Sequence, residues 1–201
     1  MRELSTIGHS IYNADFFVSK LRENHIDTVV DVRSVPYSRY ASQYNRGALK
    51  EYLKKNGIIY IYMGDLLGAR YDDRELLFDD GKVNFRKVQE TKPFQDGVTR
   101  LDNGIKKGYS ISLMCSEKEA FDCHRFGLIS QFLREVGVEV KHIYPDGVIA
   151  QQELEKRLLH KYRDRLPEVD LFNPDVTYDM RLKLAYELRN RDIAYEATAK
   201  G

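Results

Sequence analysis

Short apolar runs of strand length alternate with amphipathic stretches of helix length through the first two thirds of the chain, and few architectures accommodate that order. Leu4 to Ile7 reads as a strand ending at Gly8-His9-Ser10, and Asn13 caps a helix running to about Glu23 with Phe17 and Leu21 on one face. Ile26 to Val32 is a second strand. The loop RSVPYSRYASQYNR follows, where Pro36 discourages helix and Asn45 can cap the next one, a helix holding Leu49 and Leu53 inward and stopping at Gly57. Ile58 to Met63 is nearly continuous in apolar residues, as expected of a strand covered on both faces. Strand, helix, strand, helix, strand implies right-handed crossovers and a parallel sheet.

The later chain extends the pattern. Gly64 to Val83, rich in glycine, aspartate and arginine, reads as a long excursion, and a helix between Pro93 and Lys107 returns the chain to a strand at Ser110 to Met114. Phe126, Ile129, Phe132 and Leu133 recur at helical spacing, and Val138 to Ile143 supplies a fifth strand closed by the turn signal Tyr144-Pro145-Asp146-Gly147. Beyond it the pattern is helical, with Leu154, Leu158 and Tyr162, then a linker from Pro167 to Pro174, then Met180, Leu184 and Leu188. The expectation is a three-layer, Rossmann-like α/β fold with a mostly parallel sheet of about five strands over residues 1–147. A helical extension, 148–201, packs on the same domain.

With 201 residues and 42% hydrophobic content, one good core is within reach. The chain carries 32 Lys plus Arg against 31 Asp plus Glu, so the overall field does not point to nucleic acid, and local patches must carry any such role. No apolar run is long enough for a membrane span, and no leader precedes the first strand, so the reading is cytoplasmic with no membrane partner. In a reducing cytosol Cys115 and Cys123 are thiols. No GxGxxG or Walker-type loop is present.

In a parallel sheet, the loops leaving the strands' C-terminal ends share one edge, where open α/β folds bind ligands. Those loops carry His9 and Ser10; Arg33, Tyr37, Ser38, Arg39 and Tyr40; Asp65, Gly68 and Arg70; and Cys115 with Glu117. Val32 to Lys50 holds Arg33, Arg39, Arg46 and Lys50, three tyrosines and no carboxylate, a composition that offers guanidinium forks to phosphate or carboxylate and ring faces to a base. Asp31 and Arg33 stand two apart on one strand, so they face the same side and are expected to pair internally.

Cys115 has three readings. As a nucleophile it needs a depressed pKa, which Arg33, Arg125 or the following helix's N-terminus can supply. As a metal ligand it joins Cys123 and His124, with His9 an optional further ligand, although CX7CH lacks the close CXXC pairing common in zinc sites. The third reading is a small packed hydrophobe at a strand end. His9 and His124 both fall at strand-to-helix junctions and suit acid or base roles, or else a loop-pinning hydrogen bond and a helix cap. Glu117 can orient His124, neutralise Arg125 or cap the helix.

Four ordered blocks, TIGHS at Thr6 to Ser10, DVRSVPYSRY at Asp31 to Tyr40, GDLLGAR at Gly64 to Arg70 and LMCSEKEAFDCHR at Leu113 to Arg125, resemble the signature of the bacterial family known as domain of unknown function 488. The resemblance spans most of Met1 to Pro145. It implies an α/β domain with these blocks gathered at one site, and it singles out His9, Asp31, Arg33, Pro36, Ser38, Arg39, Gly68, Arg70, Cys115, Glu117, Cys123, His124 and Arg125. Ala69 stands where many relatives have a second glycine. The order of DVR and a later strand-end cysteine is also similar to rhodanese and cysteine phosphatase domains, though nine residues separate Cys115 from Arg125 where their compact loop has five before its arginine.

The functional expectation is therefore an enzyme, a hydrolase or group transferase, acting on an anionic substrate in an Arg-rich pocket beside Cys115, with phosphate- and nucleotide-containing molecules as the candidates. Cys115, His9, His124 and Glu117 are its catalytic candidates, and Ser10, Arg33, Ser38, Arg39, Tyr40, Asp65, Arg70 and Arg125 its substrate-binding candidates, with no cofactor named. The alternatives are a non-catalytic nucleotide or nucleic-acid binding module using the Arg-Tyr loop, and a Cys/His metal-binding protein.

Overall fold

A computed structural model describes residues 2–168 and 175–197. Its sheet has six strands in the order β3-β2-β4-β1-β5-β6. They are β1 (Glu3–Gly8), β2 (Thr28–Asp31), β3 (Ile59–Tyr62), β4 (Ile111–Cys115), β5 (Glu139–Tyr144) and β6 (Gly147–Ala150). The first five run parallel and β6 is antiparallel to β5. The expected α/β fold with a mostly parallel sheet is thus present, with one more strand than the pattern indicates. Residues from Gly147 read as helical, yet the first four pair back across the Pro145-Asp146 turn. β6 is short, solvent-exposed and without polar alternation, so it leaves no periodic signal.

The helices divide between the two faces of the sheet, and strand parity shows how. Helices α1 (Ala14–Glu23) and α2 (Arg46–Lys55) place Phe17, Leu21, Leu49 and Leu53 against Ile7, Val29 and Met114. The opposite face carries Leu4, Val30 and Leu113, the residues of opposite parity, under α5 (Lys92–Lys106), α4 (Phe85–Glu90), a π-helical turn at Arg125–Ser130 and α6 (Gln131–Glu135). Each fully buried aliphatic side chain contributes about 1.5–3 kcal/mol. Asn13 caps α1 as expected, accepting from the Phe16 N–H. Asn45 occupies the N-cap position of α2, but its side chain accepts instead from the Ser38 N–H at 2.7 Å and so ties the Arg-Tyr loop to the helix.

Two other expectations change. β3, expected to be covered on both faces, is the sheet's edge strand, with Ile59 exposed. Its alternating tyrosines are half-buried, which an apolar count cannot distinguish from full burial. On the last helix, α8 (Tyr178–Ile193), the buried face is Leu182, Ala185, Tyr186 and Arg189, whereas Met180 is exposed and Leu184 and Leu188 are only partly covered. That helix packs with α7 (Gln151–Lys161) over Phe121, Phe126 and Tyr144. The short helix α3 (Gly64–Leu67) opens the excursion after β3. Most of the Pro167–Pro174 linker lies outside the described residues.

A buried hydrogen-bond chain fastens the C-terminal helices to the sheet. Thr6 Oγ1 donates to His142 Nδ1, His142 Nε2 to Gln151 Oε1, Gln151 Nε2 to the Tyr186 hydroxyl, and that hydroxyl to Glu155, at 2.9, 2.7, 2.6 and 2.9 Å. This direction requires a neutral His142, and burial, aided by the charge of Arg125, lowers its pKa from 6.5 to about 4. The unfolded chain therefore takes up a proton between pH 6.5 and about 4 that the folded chain refuses. Stability from this site is complete above that window and declines as pH falls through it, by up to about 3 kcal/mol. Urea unfolding at stepped pH should show the decline, and His142→Gln should reduce it by about half, because buried His9 titrates in the same window. A slope that the substitution leaves unchanged would assign the titration to another group.

Candidate functional site

Helices α1 and α2 leave β1 and β2 toward one face, while the turn after β4 leaves toward the other. Since β4 lies between β1 and β2, the chain diverges on both of its sides, and a crevice opens at its C-terminal tip. Cys115 ends that strand. The cavity above it measures about 290 Å³ and is lined by Arg33, Ser34, Arg70, Cys115, Ser116, Glu117, Asp122, Cys123 and His124, with Ile193 and Tyr195 from the C-terminal segment. Larger cavities occur along the flanks of the sheet, but they lack this convergence of reactive side chains.

The floor of the crevice is built around Arg33. Asp31 receives its Nε and Nη2 at 2.9 and 2.7 Å, Tyr44 O receives Nη2 at 2.7 Å, and His9 Nε2 receives Nη1 at 3.0 Å. The expected Asp31–Arg33 pair is present and buried. The Tyr60 hydroxyl adds a bond to Asp31 at 2.7 Å. Four of the five guanidinium hydrogens are thereby engaged, and one Nη1 hydrogen has no partner among the described residues.

His9 accepts from Arg33 because its Nδ1 donates to Ser10 O at 2.7 Å, and its ring stacks on Tyr44 at 4.0 Å. Burial, reinforced by the adjacent guanidinium, lowers its pKa to about 4, so the ring stays neutral. His9 stands behind Arg33 and does not line the cavity.

Around the sulfur the geometry is equally specific. His124 Nε2 donates to Val32 O at 3.2 Å, which turns its Nδ1 toward both cysteines, 3.8 Å from Cys115 Sγ and 3.7 Å from Cys123 Sγ. Both thiols are free, and Cys115 and Cys123 are 7% and 2% exposed. Hydrogen bonding from Cys123, together with His124 and the charge of Arg125, holds the Cys115 thiol well below its usual range, while burial pushes Cys123 up. Arg125 is buried and donates to the carbonyls of Glu117 and Lys118 at 2.6 and 2.9 Å, shaping the loop that carries Cys115 onward. Gly8 is required beneath that loop, since a Cβ there would meet Glu117 O at 1.9 Å. Gly68 is required for the same reason, its Cβ falling 2.4 Å from Ser34 Oγ.

Of the residues expected at the site, Cys115, His124, Glu117, Arg33 and Arg70 share the cavity wall. Arg125 supports it from within. Ser10, Ser38, Arg39, Tyr40 and Asp65 are not among its lining residues; Ser38 caps its own loop, accepting from the Tyr40 and Ala41 N–H groups, and Arg39 and Tyr40 are exposed. The sequence reading left out Ser34, whose hydroxyl accepts from the Ala69 and Arg70 N–H groups at 3.0 and 3.2 Å. It also left out Asp122, Ile193 and Tyr195. Arg189 of α8 pairs with Asp122 and donates to Phe121 O, and Arg70 lies 5.4 Å over the Tyr195 ring. No local pattern announces Ile193 and Tyr195, because they meet the site only through packing of the C-terminal segment, whereas Asp122 stands one residue before Cys123 on the same loop.

A mostly parallel α/β sheet with a cysteine-ended central strand and a polar crevice at its tip defines the class of the molecule. Within that class, the chain belongs to the family described as domain of unknown function DUF488, whose model matches residues 13–133, more than half the chain. No curated protein and no solved structure matches it. No helix among the described residues is long and apolar enough to cross a membrane.

Removing the carboxylate beneath Arg33 leaves a buried cation without its counter-charge, a change that costs about 3–5 kcal/mol. Asp31→Ala should lower the unfolding free energy by that amount. A variant as stable as the parent would show that His9, Tyr44 and water suffice to hold the guanidinium.

Proposed function

We propose that the chain is an enzyme, a hydrolase or group transferase, which takes an anionic, phosphate- or nucleotide-containing substrate in the crevice above Cys115. The observation that carries the reading is that Arg33, Arg70 and the Cys115–His124 pair line one cavity, with one Nη1 hydrogen of Arg33 unpartnered among the described residues. Arg33 is already oriented by Asp31, so an anion meets a fixed donor, and little reorganisation accompanies binding. Arg70 is exposed and rests against Tyr195, which leaves it able to close on the ligand. The sulfur and imidazole at the floor supply the reactive groups, and Glu117 and Asp122 at the rim supply carboxylates for proton transfer.

Binding of inorganic phosphate, pyrophosphate and a mononucleotide, followed by calorimetry, tests the reading. Arg70→Ala should weaken the tightest of the three by about tenfold, the scale of one charge-assisted hydrogen bond. Equal affinity in parent and variant, or no binding of any of them, would remove the anion site.

A second reading uses the outer loop. Tyr40 is 96% exposed, with Tyr37 and Arg39 also exposed beside it, and Arg46 lies 4.2 Å over the Tyr62 ring. Exposed aromatic and guanidinium planes on one loop suit bases of a single-stranded nucleic acid. Salt-sensitive oligonucleotide binding that Arg39→Ala weakens would support it, and salt-insensitive or absent binding would eliminate it.

A further inference from the structure

We infer that Cys115, Cys123 and His124 form a three-ligand zinc site whose fourth position opens into the substrate crevice. One ligand atom from each of the three lies within 4.8 Å of the other two. A tetrahedral zinc with sulfur at about 2.3 Å and imidazole nitrogen at about 2.0–2.1 Å holds those atoms about 3.6 Å apart. The two sulfurs stand 3.8 and 3.7 Å from His124 Nδ1, so small side-chain movements close the shell. The nitrogen is presented correctly. In the neutral ring the bond from Nε2–H to Val32 O leaves the lone pair on Nδ1, and ligating histidines characteristically hold their other N–H in this way.

The cysteines themselves favour a metal over two packed thiols. Both are buried, and the one imidazole nitrogen beside them accepts from a single S–H at a time, which leaves the second thiol only the neighbouring sulfur, a weak acceptor. A borderline-soft cation satisfies all three groups together, binding as the two thiols lose their protons. Among the described residues no fourth His, Cys, Asp or Glu joins the cluster. Two cysteines and one histidine with an open position is a ligand set of catalytic zinc sites, where water or substrate completes the tetrahedron. Here all three ligands line the same cavity as Arg33 and Arg70, so an anion oxygen held by the guanidinium groups lies within reach of the metal.

The assignment rests on the proposed anion crevice only for what approaches the fourth position; metal retention itself can be measured with no substrate present. Protein purified without chelators should hold about one zinc per chain by elemental analysis, falling below about a tenth in Cys123→Ser and His124→Ala, with circular dichroism confirming that each variant folds. Cobalt added to chelator-stripped protein should give thiolate-to-metal charge-transfer bands and tetrahedral d–d bands. Absence of metal in the parent together with no cobalt spectrum overturns the site, as does equal metal content in parent and both folded variants. Inorganic phosphate added to the cobalt form should shift the d–d bands, and Arg70→Ala should weaken that response. An unshifted spectrum with cobalt bound would retain the three-ligand site while denying that its open position faces the anion, a failure separate from that of the metal.

Discussion

Everything at the C-terminal edge of the sheet depends on a buried guanidinium. Arg33 enters the interior because Asp31, two residues before it on the same face of the chain, meets it with both carboxylate oxygens, while Tyr44 O and His9 take further hydrogens. An uncompensated charge in that position would be strongly destabilising. With its partners in place it ties β2, the first loop and the Arg-Tyr loop into one rigid floor. The neutral state of His9 follows, since a protonated ring could not accept from Arg33 and burial already disfavours its charge.

A second guanidinium, that of Arg125, does for the β4 loop what Arg33 does for the floor. It holds two successive carbonyls, and Gly8 lets the loop lie directly on β1. The π-helical turn beginning at Arg125 follows immediately after Cys123 and His124, and such widened turns recur at functional sites. Cys115, Cys123 and His124 are therefore presented by backbone constrained on each side. Convergence within hydrogen-bonding range, and not reactivity of any one residue, is what gives this cluster its chemical interest.

The C-terminal segment takes part in the site although the family model ends at residue 133. Arg189 anchors the stretch before Cys123, and Tyr195 stands against Arg70 while its carbonyl accepts from the Val83 N–H. The family-matched region thus supplies the sulfur, the imidazole and the Asp31–Arg33 pair, His9 comes from the segment before it, and the extension supplies one wall.

Much of the architecture was legible from periodicity, because burial against a sheet demands alternating residues on strands and 3.6-residue spacing on helices. The parallel order then placed the four signature blocks at one edge before any distance was known, and the Asp31–Arg33 pairing followed from strand parity. β6, the exposure of β3 and the buried face of α8 escaped because each depends on what lies alongside, which local composition does not encode. The same reason divides the site residues. By itself the sequence determined that a cysteine and several arginines leave the sheet at one rim, since topology dictates that; only tertiary packing decided that Arg33 and Arg125 turn inward, that Arg39 and Tyr40 turn outward, and that both sulfurs meet one imidazole nitrogen. Those outcomes rest on desolvation and hydrogen-bond satisfaction among residues up to about a hundred positions apart, and such balances exist only once the chain has closed.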